Sequence, residues 1–327
     1  MLNATISLYA HATIRPLERP EVILEAVDRE ERVVLPATLQ LPVEEPLLLH
    51  RGVYNRIAAL VGKPLPCHLL SYVDVPPGSG LGTSSTLVVA LVGAFVEWLN
   101  LPLGEYDIAR LAYEIERLDL GQAGGRQDQY AATFSGVNFM EFYAEERVIV
   151  NPLRIRPEYL YELEHNLLLF YTDTSRFSSQ IIEEQKSHIA KGDKTALEAT
   201  HRLKEEAFRM KEALLKGRMD EIGEILHEAL SINVEWPPMF LRRFWRRYMR
   251  WRARRGPQVA KSPVLEGEDS WSFIVRGRRV TLSKKRLPPS RADSLTITLS
   301  STVWSHGTYR SSHLSWGSRH SSASCPP

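Results

Sequence analysis

Residues 74–86 read Asp74-Val75-Pro76-Pro77-Gly78-Ser79-Gly80-Leu81-Gly82-Thr83-Ser84-Ser85-Thr86 and lead directly into the apolar run 87–95. A strand pattern over 67–75 precedes them, so this order predicts a strand, a glycine-rich loop and a buried helix. Glycines let the backbone approach a ligand closely, and the free N–H groups at a helix N-terminus attract anions. The segment is typical of a phosphate-binding turn, although a glycine triplet can also be a plain turn that binds nothing.

Neither of the two common phosphate-binding motifs describes this loop. A Walker A motif needs Lys followed by Ser or Thr after the glycines, and no such pair occurs here. Glycines at 78, 80 and 82 also lack the dinucleotide-binding spacing, and no ribose-binding acid follows in a βαβ unit.

The rest of the first 231 residues alternates between strand and helix patterns. Alternating runs at 4–9 and 32–35 predict strands, and apolar spacing predicts helices over 45–61 and 106–118. The second helix has Glu116 off an apolar face formed by Ile108, Leu111, Ala112, Ile115 and Leu118. Strands are expected at 136–143, 148–155 and 166–172, followed by amphipathic helices over 178–231 with breaks near Gly192 and Gly217. This order predicts an α+β fold.

Composition narrows the class of protein. The chain has 327 residues, of which 43% are hydrophobic and 24% charged, and it contains no apolar run near the ~18 residues that span a bilayer. Its two cysteines, Cys67 and Cys325, cannot form a disulfide framework, and the first residues lack the pattern of a signal peptide. We therefore expect a soluble protein of the cytoplasm with no membrane partner.

Charge divides the chain into two unlike parts. Residues 1–235 carry 23 Lys and Arg against 35 Asp and Glu, whereas residues 236–327 carry 18 against 4. Six of the seven tryptophans also lie in the second part, which ends in a tail rich in Ser, His and Arg.

Several motifs in order resemble those of the GHMP kinases. The glycine loop is similar to their second motif, and Glu116 stands twelve residues before Asp128 in a segment similar to their Gly-x-x-Asp-Gln loop. Four segments resemble those of the heptose 7-phosphate kinases and related anomeric sugar kinases, namely 112–117, 125–132, 136–142 and 171–176. The resemblance covers roughly residues 1–230. It implies a ribosomal S5 domain 2-like ATP-binding domain over 1–150 and an incomplete ferredoxin-like domain beginning over 151–231.

The resemblance also implies roles for particular residues. ATP phosphates would be wrapped by the loop residues Pro77, Gly78, Ser79, Gly80, Leu81, Gly82, Thr83, Ser84 and Ser85. Mg²⁺ would be held by Ser84, Ser85 and Glu116, because this hard cation prefers carboxylate, hydroxyl and phosphate oxygens. Asp128 would orient or deprotonate the sugar hydroxyl, with Arg126 adding positive charge. The sugar phosphate would be contacted by Gly125, Gln127, Ser175 and Arg176.

Three of these positions also have a non-functional interpretation. Arg126 could instead be a solvated surface residue, and Ser175 and Arg176 could be ordinary helix-start residues.

Two family motifs are missing, and the reading frame offers an explanation for one of them. The first motif, an N-terminal strand with a glycine-rich turn, would precede Met1, so the sequence is expected to begin late. The third motif is absent as written, but synonymous codons for residues 256–272, read two bases later, permit a string containing Gly-Ala-Gly-Gly-Gly-Gly. We therefore hypothesise a frame change near 229–232, which would leave residues 232–327 as a basic, poorly ordered tail.

The predicted function is ATP-dependent phosphorylation of a sugar, in particular the anomeric hydroxyl of a heptose 7-phosphate, with activity reduced or lost in this chain. One alternative is a decayed protein that binds nucleotide or sugar without catalysis. Another is nucleic-acid binding through the basic segment, where 242–247 interleaves arginine with aromatic residues. A metal site from His306, His313 and His320 is disfavoured, since six-residue gaps on a serine-rich coil define no geometry.

Overall fold

A computed structural model describes residues 1–75, 79–171 and 187–235, together with the backbone of two strands at 264–266 and 271–275. The strands are β1 (Leu2–Ala4), β2 (Ala10–Pro16), β3 (Glu21–Ala26), β4 (Glu31–Pro36), β5 (Cys67–Val73), β6 (Val137–Phe142), β7 (Val148–Pro152), β8 (Leu167–Tyr171), β9 (Val264–Glu266) and β10 (Trp271–Val275). The helices are α1 (Leu48–Val61), α2 (Thr83–Leu99), α3 (Glu105–Tyr113), α4 (Gln127–Phe134), α5 (Pro157–Asn166), α6 (Lys194–Lys216) and α7 (Met219–Glu235).

A four-stranded mixed sheet has the order β2-β5-β3-β4, and its strand β5 leads into the glycine loop. β3 pairs antiparallel with β4 and parallel with β5, so that Val22 lies opposite both Leu35 and Cys67. Every second residue of β3 is buried, as expected for a strand that covers a core with one face. The principal core packs these strands against α1 and α2, with the large side chains Leu24, Tyr54, Ile57, Leu69, Leu91 and Phe95 fully buried.

Two smaller sheets complete the described strands. β6 pairs antiparallel with both β1 and β7, and β10 pairs antiparallel with both β8 and β9. A second core joins α5, α6 and α7 through residues that include Leu163, Leu214, Ile222 and Ile225. All the described strand pairs except β3 with β5 are antiparallel, and helices pack against the sheets, which confirms the predicted α+β class.

Most of the expected elements are found within a few residues of their predicted places. The strand expected at 4–9 is wrong, because the chain pairs at Leu2–Ala4 and again at Ala10–Pro16 instead. Its alternating pattern comes from Ile6 and Leu8, which pack against Val75 without belonging to either strand. Gly217 ends α6 with a φ of +67°, as the predicted break requires, while the part of that helical region at 178–186 lies outside the described residues.

The helix expected at 106–118 ends in an unexpected geometry. A π-helical turn, Glu114–Asp119, continues α3, and the N–H of Leu120 donates to the carbonyl of Ile115 at 3.0 Å. A π turn closes over five residues and therefore advances each side chain by a smaller angle than an α turn does. As a result Leu118 is 62% exposed, and Glu116 is fully buried. The expectation of an apolar face that includes Leu118 and excludes Glu116 is wrong for this reason.

The domain boundaries stay a prediction. The expected division at residue 150 falls inside β7, and the expected tail after residue 231 is described only at the end of α7 and in β9 and β10. Within the described ranges, none of the helices combines the length and apolar character that crossing a bilayer requires.

Candidate active site

The glycine loop turns the chain from β5 into α2. Gly80 and Gly82 have φ values of +76° and +66°, which only glycine adopts without strain. Gly82 is the N-cap of the seventeen-residue α2 and offers no side chain, so the helix begins without a side-chain cap. The Ser79 and Thr83 hydroxyls hydrogen-bond at 2.9 Å across the turn. Uncapped N–H groups at the positive end of a helix dipole form a site that suits a phosphate. Pro77 and Gly78 lie outside the described residues.

Directly after the loop, two hydroxyls meet a buried carboxylate. Ser84 Oγ donates to one Glu116 carboxylate oxygen at 2.6 Å, and Ser85 Oγ donates to the other at 2.7 Å. The Glu116 side chain is wholly shielded from solvent, whereas Ser84 is exposed. The three residues that the sequence groups together therefore lie together, with Ser84 on the open side.

Gln129 closes this cluster from the side of α4. Its Nε2 donates to Glu116 Oε2 at 2.6 Å and to Ser85 Oγ at 3.0 Å. Gln129 is completely buried, and its amide oxygen has no hydrogen-bond partner among the described atoms. The sequence places Gln129 in the Gly-x-x-Asp-Gln segment but assigns it no role, and the structure shows that it orients the Glu116 carboxylate.

Arg117 is a further residue that the sequence does not single out. Only 11% of its side chain is exposed, and Nη1 lies 3.5 Å from Glu116 Oε1. The guanidinium also donates to the carbonyl oxygens of Ala123 at 2.9 Å and Gly125 at 3.2 Å. Its position next to Glu116 is the one sequence signal that could have indicated a role in this site.

Asp128 lies directly against Gly82, the N-cap of α2. A Cβ added at Gly82 would lie 3.1 Å from Asp128 Cγ, so the absence of a side chain at 82 makes room for this carboxyl group. Burial raises the pKa of Asp128, and the Glu116 charge raises it further, whereas a hydrogen bond from Gln127 and the Arg117 charge lower it. The carboxyl group is therefore a stronger base than an exposed aspartate.

The remaining expected residues are only partly gathered here. Gly125 and Gln127 are exposed in the segment that leads to Asp128. The Arg126 guanidinium lies 4.9 Å from the Tyr113 ring centre and 4.0 Å from Glu146. Ser175 and Arg176 lie outside the described residues.

The donor atoms of this cluster suit a hard divalent cation and an anionic ligand together. In the part of the chain that the structure describes, no three His, Cys, Asp or Glu side chains gather to hold a metal by themselves. One carboxylate and two hydroxyls are an oxygen set that a small hard cation completes with ligand phosphate oxygens and water. The buried Gln129 amide oxygen has no partner among the described atoms, so one acceptor of this cluster is left unsatisfied.

Comparisons with known proteins agree with this arrangement. The family model for the GHMP kinases N terminal domain matches residues 49–136, which include the glycine loop, Glu116 and Asp128. The D-glycero-alpha-D-manno-heptose 7-phosphate kinase of Campylobacter jejuni is 49% identical over 227 residues, which are 69% of this chain and 66% of that enzyme. The chain thus spans just under two thirds of that curated relative.

Solved structures give the same result for the fold. A D-glycero-D-manno-heptose 1-phosphate kinase from Bacteroides thetaiotaomicron superposes with a TM-score of 0.69 at 36% identity, over 84% of this chain and 78% of that one. A Campylobacter jejuni protein described as a sugar kinase superposes with a TM-score of 0.68 at 37% identity, over 91% and 86%.

Proposed function

The chain belongs to the GHMP kinase family, and on this premise we propose that it transfers the γ-phosphoryl group of ATP to the anomeric hydroxyl of D-glycero-D-manno-heptose 7-phosphate. The observation that carries the proposal is the approach of Ser84 and Ser85 to the buried Glu116 carboxylate, directly after a glycine turn that also makes room for Asp128. The proposed phosphate site, the proposed cation ligands and the proposed base thus all lie at the first turn of α2.

The nucleotide phosphates bind at the start of α2 in this proposal. Gly80 and Gly82 bring the backbone close to the ligand, and the uncapped N–H groups of the helix face negative charge. The Ser79–Thr83 hydrogen bond holds the turn closed on itself. Binding here depends on backbone groups, so side-chain changes at the exposed face of the loop should affect it less than changes at the two glycines.

Ser84, Ser85 and Glu116 would hold Mg²⁺ in this proposal, and the ion would supply positive charge to offset that of the phosphates. Gln129 keeps the Glu116 carboxylate aligned with the two hydroxyls, since it bonds both Glu116 and Ser85. The cation requirement should accordingly depend on residues from three different helical segments.

Asp128 orients the sugar hydroxyl and accepts its proton as the new bond forms. The sugar oxygen bonds to the γ-phosphorus while the bond from that phosphorus to the bridging oxygen of ADP breaks, so the products are heptose 1,7-bisphosphate and ADP. Its raised pKa makes Asp128 a better proton acceptor than an exposed aspartate. Positioning and charge neutralisation are enough for phosphoryl transfer, and no covalent enzyme intermediate is needed.

The substrate assignment rests on the 49% identity to a heptose 7-phosphate kinase. Gly125 and Gln127 precede Asp128 and would contact the sugar, with Ser175 and Arg176 completing the site. Arg126 would add positive charge near the substrate. ATP and a sugar phosphate in the cytoplasm are then the partners, and nucleic acid has none of these roles.

The test is an ADP-release assay on the purified chain with Mg²⁺, ATP and D-glycero-D-manno-heptose 7-phosphate, and ³¹P NMR of the product. We expect a new phosphate on C1, and a loss of about 100-fold or more in Asp128→Asn, because general-base catalysis contributes about that much. Galactose, fucose and mevalonate serve as competing acceptors. Preference for one of them would refute the substrate, and ATP turnover unaffected by Asp128→Asn would refute the mechanism.

The scrambled third motif lowers the rate in this proposal, because the segment that would close over the phosphates reads only in the shifted frame. A chain with the frame restored should therefore turn over faster than the chain as written. Equal rates in the two chains would show that residues after 231 do not contribute.

A further inference from the structure

The loop between the π turn and α4 is held by one arginine. Arg117 donates from Nη1 to the Ala123 carbonyl at 2.9 Å and from Nε to the Gly125 carbonyl at 3.2 Å. These contacts bridge two alternate residues of the loop 121–126. A planar guanidinium presents its donors in a fixed fork, so two such bonds restrict both the position and the orientation of the loop.

Gly124 is the residue that lets the guanidinium lie there. A Cβ at this position would come within 2.2 Å of Arg117 Cζ and 2.5 Å of Nε, closer than any real contact. A Cβ at the neighbouring Gly125 would meet nothing within 4 Å. The side chain of Arg117 therefore passes directly against the backbone at 124, and the two glycines of the pair have different reasons to be glycine.

The Nη atoms of the same guanidinium also lie close to Ser85 and Glu116. Nη2 lies 3.4 Å from Ser85 Oγ, and Nη1 lies 3.5 Å from Glu116 Oε1. One buried side chain thus joins the loop to α2 and to the carboxylate of the π turn. The loop leads without interruption into Gln127 and Asp128 at the start of α4.

We propose that Arg117 is a positioning residue, which locks the loop 121–126 to the Ser85–Glu116 cluster and thereby builds the sugar-binding segment before the sugar arrives. This inference rests on the proposed function for its kinetic consequence only. The locked loop carries Gly125 and leads into Gln127 and Asp128, whereas the nucleotide phosphates are bound by the backbone of the glycine loop at 79–83. Loss of the lock should therefore affect the sugar more than the nucleotide.

The first readout is amide hydrogen exchange of peptides that cover 121–127 in the full chain, which requires no activity. We expect about tenfold faster exchange in Arg117→Gln and in Gly124→Ala, because both separate the guanidinium from the loop carbonyls. Arg117→Lys should also exchange fast, since one ammonium cannot bridge both carbonyls. Exchange at the wild-type rate in Gly124→Ala, or full rescue by Lys, would overturn the proposal.

Arg51 supplies a matched control. It is another buried arginine that donates to two backbone carbonyls, those of Pro42 and Pro46, at 3.0 and 3.1 Å. Arg51→Gln should loosen residues 42–46 and leave exchange at 121–127 unchanged. Faster exchange of 121–127 in this variant would show general loosening of the fold and would overturn a specific role of Arg117.

The second readout separates positioning from mere stability. Below the melting temperature, Arg117→Gln and Gly124→Ala should lower kcat/KM for the sugar by about 100-fold, the size of a small misplacement of reacting groups. Affinity for a non-hydrolysable ATP analogue should stay within about twofold. The double variant should be no worse than either single one, because both remove the same contact. Equal losses for sugar and nucleotide would overturn the proposal.

If the wild type phosphorylates no sugar, the proposed function fails, and hydrogen exchange alone decides the role of Arg117.

Discussion

The carboxyl group of Asp128 occupies the space that a side chain at residue 82 would take, with 3.1 Å between Asp128 Cγ and a Cβ built on Gly82. These two residues are 46 positions apart, on the glycine loop and at the start of α4. The contact brings the N-terminus of α2 and the proposed base to the same point. Gly82 thus has two reasons to be glycine, its φ of +66° and its closeness to Asp128.

A comparison of Gly82→Ala with Gly62→Ala should separate the strain of a positive φ from the displacement of Asp128. Both glycines have positive φ, but a Cβ at Gly62 would meet nothing within 4 Å. Each Ala variant should lose about 1–2 kcal/mol of stability from backbone strain. Only Gly82→Ala should also lose kinase activity, because it displaces Asp128. Urea unfolding measures the loss of stability, and the ADP-release assay measures the loss of activity. Equal activity in both variants would refute the displacement of Asp128 by a side chain at residue 82.

Asp128 should destabilise the fold at neutral pH. Burial raises its folded-state pKa above the ordinary 3.8, so the folded state holds the proton more tightly than the unfolded state does. Stability is therefore lost as the pH rises from below 3.8 through the folded-state pKa. Asp128→Asn should gain about 0.5–2 kcal/mol at pH 7, and the gain should vanish below the ordinary pKa. Urea unfolding at pH 7 and pH 3.5 tests this, and a loss of stability at pH 7 would contradict it.

Glu116→Gln should destabilise the fold and weaken the binding of Mg²⁺. The amide group would place N–H donors against donors of Ser85, Gln129 or Arg117, at a cost of about 1–3 kcal/mol. The Mg²⁺ concentration for half-maximal activity should rise by at least about 10–100-fold, the loss that follows even from removing a residue that only orients a metal ligand.

Glu114→Gln is the control for that change. Glu114 lies in the same π turn but pairs with Arg56 and Arg110 away from the serines. Its Mg²⁺ titration should match that of the wild type. A shift as large as that of Glu116→Gln would mean that the turn as a whole, and not the Glu116 carboxylate, determines the cation requirement.

His50 should be the main titrating group in loss of stability under mild acid. Its ring bonds Ser71 Oγ at 2.8 Å in the core, and burial, aided by the Arg29 charge, lowers its pKa from 6.5 to about 4. The folded state then binds fewer protons than the unfolded state, so stability falls as the pH drops below 6.5. Between pH 7 and 4.5 this contributes a loss of about 2–3 kcal/mol. His50→Gln should flatten that part of the stability profile in urea unfolding, and a profile parallel to the wild type would contradict the assignment.

The frame change near residues 229–232 stays a prediction that the encoding DNA can test. Resequencing should reveal one inserted or deleted base near that position, and its correction should produce the segment Gly-Ala-Gly-Gly-Gly-Gly in place of part of 256–272. Confirmation of the DNA as written would contradict the hypothesis. Nucleic-acid binding by the basic segment would then be the next property to measure.

The local elements of the fold could be predicted from the sequence to a large extent. The glycine loop, α2, β5 and the helices around Gly217 depend on residue types and spacings within a few positions. The same kind of pattern failed at 4–9 and at Leu118. Ile6 and Leu8 are partly buried by packing against Val75 although neither belongs to a strand, and the π turn changes the angular spacing on which a helical face depends.

The sequence by itself determined the α+β class and the family resemblance, and it led to the proposal that Ser84, Ser85, Glu116 and Asp128 form one site, because these follow from short motifs. Only the tertiary structure decided how the site is held together. Ser85 and Gln129 are 44 positions apart and meet at 3.0 Å, and Arg117 passes over Gly124 to reach both the loop and the buried carboxylate. Such contacts depend on how α2, the π turn and α4 pack around a common core, and side-chain packing between distant segments leaves no regular spacing in the sequence.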